Sequence, residues 1–274
     1  MEARNNDIRT WFRLEKAPFT DQIKTSDLFL RESLENMYNE INFAIKNGCY
    51  YTVIGDVGSG KSTALRYAQS KLNSKEYQII NLTGGSWSFS EFLRQTMAAI
   101  GIPVRTGQQT TMLRMIYDGY KSIKESGKTP VLFIDEAHLY NPDVFHQIHL
   151  LSQPDKKTGQ IVPIVLCGQS SLIDRLLEPF NKPLQSRILN GINIPNLSIE
   201  ECGRYIEHHI SVIAKGPSDL FDEGAKNLIM QSSGGLPRLI NKFCLLAMNN
   251  AMSKKENTIS SDNVRAINTK WWER

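Results

Sequence analysis

Gly55-Asp-Val-Gly-Ser-Gly-Lys-Ser62 fits the spacing G-x-x-x-x-G-K-[ST] at every fixed position. Glycines let a backbone wrap tightly around an anion, and the successive N–H groups of such a loop point inward at phosphate oxygens. Gly55, Asp56, Val57, Gly58, Ser59, Gly60, Lys61, Ser62 and Thr63 are therefore the candidate nucleotide cradle. Lys61 would reach the β- and γ-phosphates of a bound nucleotide, and the Ser62 hydroxyl would ligate Mg2+. A chance glycine-rich turn has no reason to stand between a β run and a helix. This one does: Tyr50–Ile54 precedes it, and Ala64, Leu65, Tyr67, Ala68 and Leu72 follow at helical spacing.

Val131-Leu-Phe-Ile-Asp135-Glu136-Ala-His138 is the second signal. Four apolar residues end in two carboxylates, and ligands of open parallel sheets bind beyond the carboxyl ends of the strands. Asp135 would hold the Mg2+ shell, and Glu136 would orient and activate the attacking water. Alone, two acids at a strand end are ordinary solvated side chains; downstream of a phosphate loop they acquire this second meaning. His138 reads as structural rather than catalytic. Ile164-Val-Leu-Cys-Gly-Gln169 again sets a polar side chain past an apolar run. Gln169 could touch the γ-phosphate or the water, and an ordinary strand-to-helix turn explains it nearly as well.

Two arginines complete the candidate set. Arg187 precedes the last strand of the core, and Arg238 follows Gly234-Gly-Leu-Pro237 at a helix start. Guanidinium groups stabilise charge on transferring phosphoryl oxygens, and one supplied by a neighbouring subunit couples hydrolysis to assembly. A solvated surface charge is the competing account of each.

These residues need a scaffold. Strands are read at 50–54, 77–82, 130–134 and 161–167, and helices at 62–72, 89–100, 110–125 and 142–152. Continuous apolar strands alternating with helices make a parallel sheet covered on both faces, an α/β fold of the P-loop NTPase type. Ser88-Phe-Ser-Glu91 and Ser198-Ile-Glu-Glu201 both spell capping boxes. The alternation stops after Pro195. Cys202, Ile206, Ile210 and Ile213 then mark one helical face, with further helices near 221–231, 237–252 and 261–271. The expected division is a leader over 1–30, an α/β core over 31–197, and a small all-helical domain with a tail over 198–274.

The net charge of the 274-residue chain is +4, which permits nucleic acid as a partner without requiring it. No apolar stretch approaches the ~20 residues that cross a bilayer, and polar Met1–Asn6 has no signal-peptide core behind it. Cys49, Cys167, Cys202 and Cys244 are scattered with no C-x-x-C pair, which argues against a disulfide framework and a structural zinc. His208-His209 has no ligand set beside it. The chain reads as soluble and cytoplasmic, with no membrane contact.

Together these residues resemble the AAA+ ATPase superfamily, and more narrowly its ExeA/TnsC-like branch, shared by transposition regulators and a general-secretion ATPase. The resemblance runs through Phe12-Arg-Leu-Glu-Lys-Ala-Pro-Phe19, Gly55–Thr63, Pro130–His138, Val165–Gln169 and Ser233-Gly-Gly-Leu-Pro-Arg238-Leu-Ile-Asn241. It implies that the leader packs near the nucleotide and helps enclose its base. Gln169 stands at the sensor I position, where the wider superfamily often has Asn, Ser or Thr. Arg187 matches the arginine finger, and Arg238 the sensor II arginine of a helical lid. It further implies ATP-dependent self-assembly into a ring or helical filament. In transposition members that filament forms on double-stranded DNA and presents the target to a transposase. Secretion-type members continue into a membrane span and a cell-wall-binding module, and this chain stops at Arg274 with neither. The expectation is therefore a DNA-binding regulator of transposition, with the motor of a protein assembly such as general secretion as the alternative.

Asp135-Glu-Ala-His138 also spells the box of a helicase class, but such helicases stack two RecA-like cores and only one α/β unit can be placed. A binding module without turnover leaves unexplained why every catalytic position is filled, so a slow, DNA-stimulated ATPase is expected. Val104-Arg-Thr-Gly-Gln-Gln-Thr-Thr111 could set Arg105, Thr106 and backbone N–H groups against DNA phosphates. Lys156-Lys157 reads as a solvated turn. Trp271-Trp272 is either a handle for a partner or packs beneath the lid.

Overall fold

The computed structural model describes residues 7–20, 23–152 and 161–267. Lys156-Lys157 and Trp271-Trp272 lie outside the described residues. Five strands, β1 (Tyr50–Ile54), β2 (Tyr77–Thr83), β3 (Thr129–Asp135), β4 (Ile164–Gly168) and β5 (Ile188–Asn193), form one parallel sheet in the order β2-β3-β4-β1-β5. Parallel neighbours need crossovers, and helices Lys61–Lys71, Phe89–Ala99, Gln109–Glu125, Pro142–Gln147 and Ser171–Leu177 lie in those connections. Every residue of β1 and β4 is buried, which is why neither strand carries a charged side chain. β2 and β5 are the sheet edges and keep exposed positions.

Several elements differ from their sequence expectation. Helix Glu32–Lys46 has no counterpart in the sequence expectation, although it buries Leu34, Met37, Ile41, Ala44 and Ile45 at helical spacing. Its Glu40 accepts from the Tyr51 hydroxyl at 2.6 Å and from Asn190 Nδ2 at 3.0 Å. The helix expected over 142–152 is α-helical to Gln147 and then tightens to a 3-10 turn over Ile148–Ser152. Ser88 caps its helix, but Glu91 turns to Arg94 and Gln95, so only half of that capping box forms. Ser198 and Glu201 close theirs in both directions. The last described helix runs only over Ser261–Arg265.

The described residues form two compact units. One is the α/β unit, Arg31–Val57 and Lys61–Ile194; the other takes in the described parts of Met1–Leu30 with Gly58–Gly60 and Pro195–Arg274. The second is helical, and its core joins Phe12 and Phe19 of the leader to Ile206, Ile210, Phe221, Ile240 and Cys244. His209 anchors that junction. Only 1% exposed, it opens a π-helical turn over His209–Ile213, and its Nδ1 accepts the Phe19 N–H at 3.1 Å. The Phe19 ring stacks on it at 5.1 Å, and the leader is further tied by the Glu15 N–H to the Ala214 carbonyl at 2.8 Å.

Burial, with a smaller contribution from His208, pushes the His209 pKa down to about 3. The unfolded ring binds its proton near pH 6.5 and the folded one does not, so this unit loses stability as pH falls below 6.5. Relative to pH 8, the loss reaches about 2 kcal/mol by pH 5. His209→Asn keeps an acceptor near the Nδ1 position and has nothing to titrate there, so its unfolding free energy should flatten across this window. Parallel denaturation curves for the two proteins between pH 8 and 5 would rule the ring out.

Candidate nucleotide site

In the loop after β1, Gly58 (φ 84°) and Gly60 (φ 93°) adopt left-handed backbone that side chains resist, which lets the loop close. Lys61 opens the following helix and is only 5% exposed; its ammonium donates to the carbonyls of Gly55 at 3.0 Å and Asp56 at 2.9 Å. A buried ammonium needs such partners, and they fix its head over the loop. The Ser59 hydroxyl is buried and meets no hydrogen-bond partner among the described residues. An orphaned buried donor costs about 1–3 kcal/mol, and a phosphate oxygen would relieve it. Left-handed glycines, a fixed cation and an unpaired hydroxyl fit a triphosphate. Asp56 and Ser62 are exposed, and Thr63 is half-buried.

Asp135 ends β3, and its Oδ1 accepts the Glu136 N–H at 2.8 Å. Glu136 is left-handed (φ 50°), which turns the chain sharply beyond the sheet. One residue escaped the sequence reading here. Gly84, just past β2, donates its N–H to the Asp135 carbonyl at 2.7 Å, and a Cβ on it would lie 1.9 Å from the Glu136 carbonyl oxygen. The Gly84-Gly85 pair after a strand was the available signal. Cys167, buried in β4, has its thiol pushed up by burial first and by neighbouring Asp135 second. Hard oxygen donors from Ser62 and Asp135 suit Mg2+, which binds through one or two protein groups plus substrate phosphates. No group of three or more His, Cys, Asp or Glu that could hold a metal by itself exists among the described residues.

β4 lies between β1 and β3, so the phosphate loop and the Asp135-Glu136 pair stand two strand spacings apart, roughly 10 Å. Gln169, the first residue past β4, falls between them. The Gly55 N–H donates to the Gly168 carbonyl at 3.3 Å, and Ile134 is level with Leu166. The sheet thus brings Lys61, Ser62, Asp135, Glu136 and Gln169 to its carboxyl edge. His138, on the 3-10 turn Ala137–Leu139, joins them: its Nδ1 is 3.5 Å from Glu136 Oε2 and accepts the Gln169 N–H at 3.4 Å. Burial pulls its pKa down.

Arg187 stands elsewhere. Its carbonyl accepts the Tyr50 N–H at 2.8 Å, so it sits at the amino edge of the sheet, a five-residue strand (roughly 16 Å) from the phosphate loop that follows β1. There it lines a cavity of about 670 Å3 with Lys46 and Lys124. Arg238 belongs to the helical unit, where its N–H donates to the Gly58 carbonyl at 3.2 Å. Arg105 is exposed and Thr106 half-buried; the Thr106 hydroxyl accepts the Gln108 N–H at 3.2 Å. A 2.9 Å bond from Gln109 Nε2 to Ser90 Oγ ties the two helix starts, so this loop returns toward the carboxyl edge.

Residues 46–176 match the family described as AAA domain. The chain is also 26% identical over 251 residues to general secretion pathway protein A of Aeromonas hydrophila, a match taking in 91% of this chain and 46% of that protein. The chain is similar to ExeA-like AAA+ ATPases. It spans less than half the length of that relative. Among solved structures, the chain is similar to the Aeropyrum pernix ORC2 protein, with a TM-score of 0.68 and 14% identity over 90% of this chain and 69% of that one. It is likewise similar to Cdc6p of Pyrobaculum aerophilum (TM-score 0.69, 14% identity, 90% and 68% covered) and to the Thermotoga maritima RuvB Holliday junction branch migration motor (TM-score 0.55, 20% identity, 84% and 67% covered). At these identities the likeness establishes the fold. No helix among the described residues is long and apolar enough to cross a membrane.

Proposed function

We propose that this AAA+ domain binds and hydrolyses ATP and that hydrolysis is completed by a neighbouring copy of the chain. The observation that carries this is the split of the charged groups: Lys61, Asp135 and Glu136 at one edge of the sheet, Arg187 at the other. The loop amides and Lys61 bind the β- and γ-phosphates, and Ser62 and Asp135 hold Mg2+. When bound, Mg2+ neutralises the charge that develops between those phosphates. Glu136 orients the attacking water and accepts its proton, Gln169 reads the γ-phosphate side, and Arg238 acts as the lid arginine. Arg187 enters the site of the next subunit in a ring or filament. We place this activity in the cytoplasm, in keeping with four free cysteines among the described residues.

The downstream role we favour is regulation of DNA transposition: an ATP-dependent assembly on double-stranded DNA that presents the target to a transposase. Its support is the motif set together with exposed Arg105 beside Thr106 on a loop near the carboxyl edge. The Aeromonas relative favours a second reading, the motor of a protein assembly such as secretion. Chain length does not choose between the two. Anisotropy of a random-sequence duplex, across a salt series with ATP, ADP or no nucleotide, does. Cooperative, salt-sensitive binding confined to ATP supports the DNA role, and Arg105→Ala should then weaken all sequences alike and flatten the salt slope by about one. An unaltered slope removes Arg105 from the interface. Absence of binding in all three states gives the assembly to a protein partner.

A further inference from the structure

Hydrolysis as read above asks the Glu136 carboxylate to stand in one place at the moment of attack, and its left-handed backbone fixes only where the side chain starts. We propose that His138 is a positioning residue for Glu136, holding or releasing the carboxylate according to whether its Nδ1 serves Glu136 or the main chain of Gln169. The inference rests on the hydrolysis reading and adds a component to it.

The His138 side chain is 7% exposed, so its partners are protein groups. One nitrogen faces two of them: Nδ1 stands 3.5 Å from Glu136 Oε2 and 3.4 Å from the Gln169 nitrogen. These groups make opposite demands. A carboxylate requires a proton on Nδ1, and an N–H requires a lone pair there; a neutral ring nitrogen supplies one or the other. With Nδ1 bare, the ring accepts from Gln169 and presents its lone pair to a carboxylate oxygen, which pushes Glu136 away. With Nδ1 protonated, it donates to Glu136 and the Gln169 N–H loses its acceptor. The two states are the neutral tautomers of one imidazole, related by moving a proton from Nε2 to Nδ1 with no change in net charge. Both distances are long for hydrogen bonds, as expected of a nitrogen shared by two competitors.

The sheet order makes the competition useful. Gln169 begins the turn after β4, between the phosphate loop and β3, whereas Glu136 and His138 belong to the turn after β3. A small shift of the β4 turn, on the γ-phosphate side, therefore trades one hydrogen bond for the other and moves the carboxylate. A ring packed only for structure would not couple the two turns.

His138→Ala should lower kcat for ATP about tenfold or more, while KM and the affinity for a fluorescent ATP analogue stay within about twofold. His138→Asn sets an amide oxygen or nitrogen near the Nδ1 position, able to accept or donate, and should recover most of the loss. A readout independent of turnover comes from the 15N signals of the His138 ring, which should shift when Glu136→Gln removes the carboxylate charge. An Ala variant as fast as the parent, an Asn variant as slow as Ala, or ring signals indifferent to Glu136→Gln would each overturn the proposal. A parent protein that binds ATP without turnover, yet whose ring responds to Glu136→Gln, would keep the contact and refute its use in hydrolysis.

Discussion

Glu136→Gln is expected to bind ATP as tightly as the parent chain and to release phosphate about two to four orders of magnitude more slowly. The two side chains have nearly the same shape, but the amide cannot take the proton of the attacking water. The substitution should leave the fold intact because what holds this turn is main chain. The Glu136 N–H bonds to Asp135 Oδ1, and the Gly84 N–H bonds to the Asp135 carbonyl. Neither contact uses the Glu136 carboxylate. Lys61→Ala is the contrasting control, since it removes the cation held at Gly55 and Asp56 and should lose binding itself. Phosphate release and nucleotide binding measured on the same preparations separate the two effects. Undiminished turnover in Glu136→Gln would remove that carboxylate from the chemistry.

What was legible in the sequence follows from what is local. The phosphate loop is a contiguous stretch whose glycines, lysine and hydroxyl serve one purpose, so spacing alone places it. β1, β3 and β4 declare themselves because a strand buried on both faces must be apolar throughout. Helix Glu32–Lys46 was legible and passed over: Leu34, Met37, Ile41, Ala44 and Ile45 recur at helical spacing, and only the engagement of Glu40 by Tyr51 and Asn190 needed the fold. Glu91 shows the reverse failure, a residue with the right spacing for a capping box that finds better partners in Arg94 and Gln95.

The contacts of His138 lay beyond any reading by spacing. Gln169 lies thirty-one positions further along the chain, and the two meet only because β4, the fourth of the five strands in chain order, inserts between β1 and β3. His209 is the same case in the helical unit. Its partner Phe19 lies 190 positions away, so the sequence offered two adjacent histidines and no reason to separate their roles.

Arg187→Ala should also depress hydrolysis, by about three orders of magnitude if the guanidinium acts at the transition state. The more telling result is a mixture. Arg187→Ala keeps an intact phosphate loop and Glu136, while Glu136→Gln keeps an intact Arg187. At an interface where the loop of the first faces the arginine of the second, every group is present. Random pairing at equal amounts forms that interface about a quarter of the time, so the mixture should recover about a quarter of parent activity per site. The expectation follows from placement: Arg187 is bound through its carbonyl to Tyr50 at the amino edge of β1, and the phosphate loop leaves the other edge. One subunit cannot bring both to the same γ-phosphate without dismantling its sheet. Two patches on opposite edges that complement each other make a head-to-tail contact, and such contacts close into rings or continue as filaments. A mixture no more active than the sum of its parts would mean that Arg187 is a surface charge, and the assembly would then need another source of cation at the transferring phosphate.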